Sequence, residues 1–150
     1  MQKEEAMIEY LNDAERARLQ ERRLAEPFID ETLHQLERIL TSLTFARIQH
    51  RTRDFLGFVV SKTLIGHADE IKEMTVAIRV YHESADFDPL ENSKVRVAGV
   101  ALRRRVAAYY VREGAHDPIE IVIPVGTYVP RIRCRERRLP LRRSGDSADL

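Results

Sequence analysis

The residues of this 150-residue chain best suited to chemistry are its arginines, and the chemistry they suit is the binding of anions. The stretch from Glu91 to Glu113 carries six basic residues against two acids, among them Lys94, Arg96, Arg103, Arg104 and Arg105. The stretch from Arg131 to Arg143 carries seven arginines, including Arg131 and Arg133, against one acid, Glu136. The net charge is only +1, so the excess is local. A basic balance confined to particular segments points either to an anionic partner or to a solvated charged face.

Other chemistry finds little in the spacing. His34, His50, His67, His82 and His116 are dispersed, and Cys134 is the only cysteine, so no zinc-ligand set and no internal disulfide can be read. The six glycines form no phosphate-cradling loop. Asp86 and Asp88 could suggest paired carboxylates, but Phe87-Asp88-Pro89 reads better as an anchoring aromatic, a turn-capping carboxylate and a rigid proline. Cys134 amid arginines could carry a lowered thiolate pKa, which leaves redox sensing open. The expectation is binding without catalysis, with no cofactor and no metal.

The elements that must position these arginines follow from periodicity. A hydrophobic fraction of 43% with 33% charged residues fits a folded domain plus an extension. No apolar run approaches the roughly 18 residues of a membrane helix. Met1 to Glu5 lacks the order of a signal peptide, and a reducing cytoplasm suits the single cysteine. Gln2 to Ala25 is mildly acidic and helix-prone, and Pro27 punctuates it. Ile29, Leu33, Leu36, Leu40 and Leu43 predict an amphipathic helix over Asp30 to Thr44. Thr52 is expected to cap a third helix through Leu64, with Phe55, Leu56, Val59, Val60 and Leu64 inward. Ile71, Met74, Ile78 and Tyr81 mark a short fourth helix, and a polar connection runs from His82 to Glu91. Asn92 or Ser93 caps a long helix to about Arg112, closed by Gly114. Ile119, Ile121 and Ile123 alternate as a strand, Pro124 to Thr127 turns, and Tyr128 to Ile132 returns. The expected class is mainly α with a small β-hairpin. Its divisions are a helical extension over 1–48, a hairpin-bearing domain over 49–132 and an arginine-rich flexible tail over 133–150.

The run Val95-Arg96-Val97-Ala98-Gly99-Val100-Ala101-Leu102-Arg103-Arg104-Arg105-Val106 resembles the recognition helix of OmpR-type response-regulator winged helices, roughly V-D-V-H-I-x-x-L-R-K-x-L. Gly126-Thr127-Tyr128 is similar to the end of that family's hairpin wing. A closer resemblance is to a bacterial winged-helix-like domain found ahead of tetratricopeptide or cyclase-like regions. It is carried by Phe55 to Val60, Ile71 to Val76, Phe87-Asp88-Pro89, Val95-Arg96-Val97, Leu102 to Val106, Tyr109-Tyr110, Asp117-Pro118-Ile119, Ile123-Pro124, Gly126 and Tyr128-Val129-Pro130. The resemblance covers roughly Arg51 to Ile132 and implies a winged helix-turn-helix preceded by a helical extension. It departs at Val100 and Ala101, often polar or basic in the OmpR-type helix, and at Val125, often Lys or Arg in the related wing.

At about 100° per residue, Val95, Gly99, Leu102, Val106 and Tyr109 form the core face of the long helix. The other face carries Val97, Val100, Ala101, Arg104, Ala107, Ala108 and Val111. Small apolar residues there can meet thymine methyls, or another helix can cover them. The resemblance implies double-stranded DNA as partner, with contacts from Lys94, Arg96, Val100, Ala101, Arg103, Arg104, Arg105, Thr127, Arg131 and Arg133. Lys62, Arg51 and Arg53 are further candidates for phosphate, whereas Arg96 or its neighbours can pair instead with Glu73, Asp88 or Glu91. The expected function is a nucleoid-associated transcriptional regulator whose N-terminal helices pair two protomers. The alternative is a protein-interaction adaptor or anti-activator that retains the fold without DNA readout.

Overall fold

The computed structural model describes residues 10–135. Residues 2–9 of the first expected helix and the arginine-rich stretch after Arg135 lie outside it. Five helices and a hairpin follow in the order α1 (Asp13–Ala25), α2 (Pro27–Leu40), α3 (His50–Leu64), α4 (Glu73–Arg79), α5 (Lys94–Val111), β1 (Ile119–Val122) and β2 (Arg131–Cys134). A single 3-10 turn, Ala68–Glu70, lies between α3 and α4. The chain is thus mainly helical with a small two-stranded antiparallel sheet. No helix among the described residues is long and apolar enough to cross a membrane.

α1 starts at Asn12, whose side chain accepts from the Glu15 amide at 2.8 Å while Glu15 accepts from the Asn12 amide at 3.0 Å. This reciprocal cap satisfies two amides that a helix start leaves unpaired. Pro27 separates α1 from α2 by opening the second helix, since its fixed φ and missing N–H suit a first turn. α2 therefore begins earlier than the Asp30 expected and stops at Leu40. Leu43 then falls in a turn and is 85% exposed, although its spacing had placed it inside; Phe45 is buried instead. Glu113 holds that turn, accepting from the Leu43 and Thr44 amides at 3.0 and 2.8 Å.

α3 begins at His50, two positions before the expected cap Thr52, which is itself buried. Its inward residues are buried as expected, but so are Phe58, Ser61 and Lys62 on its other sides, because α1, α2, α5 and the 3-10 turn surround it. α4 is a short helix that buries Val76 and Ala77; Ile78, one of the residues that marked it in the sequence, is exposed. In the connection before α5, Phe87 is buried and Asp88 accepts from the Leu90 amide at 3.0 Å, as the anchoring reading required. Asn92 accepts from the Lys94 amide at 3.0 Å at the start of α5.

The core face of α5 is as expected, with Val95, Gly99, Leu102, Val106 and Tyr109 all buried. Tyr110 fastens β1 to α5 by donating to the Ile119 carbonyl at 2.7 Å and accepting from the Ile121 amide at 2.9 Å. Burial pushes its phenol up to about 12. β2 pairs with β1 in the register Ile119 with Cys134 through Val122 with Arg131. The return strand thus begins at Arg131, not at Tyr128, because Tyr128 and Pro130 turn inward instead of pairing. Arg135 closes the hairpin, stacking over the Tyr110 ring at 4.9 Å and donating to the Ala115 carbonyl at 2.9 Å. One hydrophobic core runs from Leu19 and Ile29 through α3 and α5 to Ile119, Ile121 and Ile123. The apolar stripes of α1 and α2 are buried in that core, and only Leu24 and Phe28 remain as exposed large apolar residues on these two helices.

Candidate functional site

The outer face of α5 is uncovered by the rest of the described chain. Val97 is 63% exposed and Val100 46%, and Ala101, Arg104, Ala107 and Val111 are exposed beside them. To one side of this ridge stands the hairpin loop 123–130, and to the other the turn after α2. A cleft of about 530 Å³ lies on the hairpin side, between the start of α4, Arg96, Val100, Arg103 and the loop residues Gly126 to Tyr128. A second cleft of about 480 Å³ lies on the other side, lined by Leu43, Thr44, Arg104, Arg105, Ala108, Arg112 and Glu113.

The cations nominated from sequence divide sharply in this setting. Arg103 is turned onto the hairpin loop, where it donates to the carbonyls of Pro124 at 3.1 Å and Thr127 at 2.8 Å. Its guanidinium also lies over the Tyr128 ring, 5.4 Å from the centroid. Tyr128 in turn rests on Gly99, where a Cβ would come within 2.8 Å of the ring, so only glycine admits this seating. Gly126 at φ +91 supplies the left-handed bend of the loop tip. Arg103 and the Thr127 carbonyl are therefore scaffold, and the Thr127 hydroxyl accepts from the Val129 amide at 3.0 Å.

Other nominated cations face carboxylates. Arg96 meets Glu73 at 2.8 Å, the partner that the sequence offered as its alternative to phosphate. Lys94 pairs with Glu83 and lies over the Tyr81 ring. Arg133 meets Glu120 at 2.5 Å, and the paired arginines Arg133 and Arg135 hold that carboxylate below its ordinary range against the upward push of its burial. Arg105 is exposed and donates to the Thr44 carbonyl at 3.3 Å, leaving its charge without a carboxylate. The side chains of Arg104 and Arg131 are exposed and make no hydrogen bond or ion pair among the described residues. Val100 and Ala101 are exposed on the outer face of α5, as expected.

Lys62 requires a correction. Proposed from sequence as a phosphate contact, it is 0% exposed and meets Glu15 at 2.7 Å and Glu70 at 2.5 Å. Arg51 faces Asp54 at 3.4 Å and Arg53 donates to the Phe45 carbonyl at 3.2 Å, so neither lies on the α5 face. Glu15, His67 and Glu70 bring ligand-type atoms within 4.8 Å of one another, but the Lys62 ammonium already bridges the two carboxylates. Sequence reasoning overlooked Arg112 and Leu43 at the second cleft. Arg112 caps the C-terminus of α5, eight positions after Arg104, a spacing that could have revealed it. Leu43 could not be found that way, because its position depends on where α2 ends.

No protein-family model matches this chain, and comparison with curated proteins and with solved structures finds no match to it.

Proposed function

We propose that this chain is a winged-helix module that binds duplex DNA, with α5 laid along the major groove and the hairpin loop 123–130 as the wing. The observation that carries this reading is the uncovered outer face of α5 beside a loop fixed to it by Arg103, with the unpaired cations Arg104 and Arg131 standing outward. The order α3, α4, α5, hairpin supports the winged-helix assignment. Cations without carboxylate partners can displace counterions from phosphates, a contribution that sets affinity and salt dependence but reads no sequence. Val100 and Ala101 offer only methyl contacts to base edges, so discrimination among sequences is weak in this reading. The site of action is the nucleoid, in the cytoplasm.

The test is a fluorescence-anisotropy titration of mixed-sequence duplex across a range of salt. Arg104→Ala and Arg131→Ala are each expected to weaken binding and to reduce the slope of log affinity against log salt by about 0.9, one phosphate contact each. Unchanged affinity and slope in the double variant, with an unchanged melting temperature, would remove both residues from the interface.

A second reading, a protein-interaction module, is favoured by the exposed valines. Val97, Val100 and Val111 form an apolar ridge in which Lys94 and Arg96 are already neutralised by Glu83 and Glu73. For this reading, Val100→Asp is expected to abolish capture of a protein partner while leaving the melting temperature within about 1 °C, as an exposed substitution should. Because a carboxylate in the groove also repels phosphate, the readings separate on Val100→Leu. It enlarges the apolar ridge, so it would strengthen protein capture without improving duplex affinity.

A further inference from the structure

The second cleft combines features that a phosphate backbone does not need. Leu43, 85% exposed, and Ala108 are apolar residues of its lining, and Arg104, Arg105 and Arg112 supply three positive charges. Its carboxylate, Glu113, is already engaged by the Leu43 and Thr44 amides and the Thr44 hydroxyl. Exposed apolar side chains ringed by like charges fit an occupant that is apolar and acidic. Such a surface exists on the same molecule. At the corner between α1 and α2, the exposed side chains of Leu24 and Phe28 are flanked by the exposed carboxylates of Glu21 and Glu31. Glu21 lies one turn before Leu24, and Glu31 one turn after Phe28, so each acid shares a face with its apolar neighbour. Neither acid makes an ion pair among the described residues.

The two surfaces lie at opposite ends of α2. The corner opens that helix and the turn bearing Leu43 follows its end, with 14 residues, or about 21 Å, between. A molecule therefore cannot fold its own corner into its own cleft. We infer that the chain stacks head to tail on copies of itself, the acidic α1–α2 corner of one copy seated in the arginine cleft of the next. The contact is heterologous, so it builds a ring or an open row and not a closed two-fold dimer. Protomers then associate through one N-terminal surface and one C-terminal surface, in place of the pairing of N-terminal helices expected from sequence.

Charge reversal tests this directly, using sedimentation velocity over a concentration series of the full chain. The wild type is expected to show concentration-dependent association that weakens with salt. Arg112→Glu cancels the positive excess of the cleft and leaves the corner intact, whereas Glu21→Lys with Glu31→Lys makes the corner basic and leaves the cleft intact. Each variant alone is expected to associate about tenfold more weakly. In an equimolar mixture the intact corner of the first variant meets the intact cleft of the second, so association is expected to return and to stop at pairs. Leu43→Ser is expected to weaken association at all salt concentrations. None of these four positions is in the proposed duplex contact set, so duplex affinity at concentrations below self-association reports separately on that reading. A wild type that stays monomeric at its highest soluble concentration, or a mixture that fails to recover association, overturns the stacking proposal.

Discussion

Glu15→Ala is expected to destabilise the fold by about 3–5 kcal/mol, the range for removing one partner of a buried ion pair. Glu15 sits at the meeting point of α1, α3 and α4. It accepts from Lys62 at 2.7 Å and from Arg79, and it completes the helix cap with Asn12. Burial pushes its carboxyl up, but the hydrogen bonds from Arg79, Lys62 and the Asn12 amide outweigh this and hold it at about 2, below the ordinary 4.5. A folded pKa below the unfolded one gives stability that is complete above about pH 4.5 and is lost as the pH falls toward 2. That window corresponds to roughly 3 kcal/mol. The variant should therefore melt roughly 10 °C lower near neutrality and show a flattened acid limb. Thermal melts at stepped pH check both. Glu70→Gln, at a half-exposed partner of the same lysine, should cost much less, because water replaces what it removes. An acid limb in Glu15→Ala as steep as in the wild type would assign the titration to another group.

The same lysine shows where the sequence could and could not be read. The core face of α5 was legible because five positions at helical spacing are enough to define a buried stripe. α3 was legible only on one side. Its burial all round depends on neighbours that periodicity does not reveal, and a lysine in a helix is taken as solvent-facing unless a partner is known. The partner of Lys62, Glu15, lies 47 residues earlier, in a segment whose apolar stripe is weak. Leu43 was misplaced for a more local reason. A regular spacing was extended past the end of α2, where Glu113, 70 residues later, captures the turn amides instead. Arg96 was readable as an alternative pair with Glu73 because both residue types advertise charge. Arg103 was not, because its acceptors are main-chain carbonyls, which every residue carries and no sequence marks.

That difference gives Arg103 and its neighbour Arg104 opposite expected phenotypes. Arg103→Ala removes two charged hydrogen bonds to the Pro124 and Thr127 carbonyls and the cation stacked on Tyr128. The expected cost is about 2–4 kcal/mol, since charge-assisted bonds and the ring contact are lost together and the carbonyls are left without that donor. Tyr128, held between Gly99 and the edge of Phe55 at 5.5 Å, then loses one wall of its seat. Amide exchange should accelerate through residues 123–130 before it does so in α5. Arg103→Lys should restore little, because an ammonium cannot reach two carbonyls as a planar fork does. In the duplex titration, Arg103→Ala should lower affinity by loosening the wing yet leave the salt slope near its wild-type value. Arg104→Ala should do the reverse, reducing the slope while leaving the melting temperature unchanged. If instead Arg103→Ala melts like the wild type and loses about 0.9 of the slope, its guanidinium leaves the loop for a phosphate when DNA binds. The loop 123–130 would then keep its place on α5 through Tyr128 seated on Gly99.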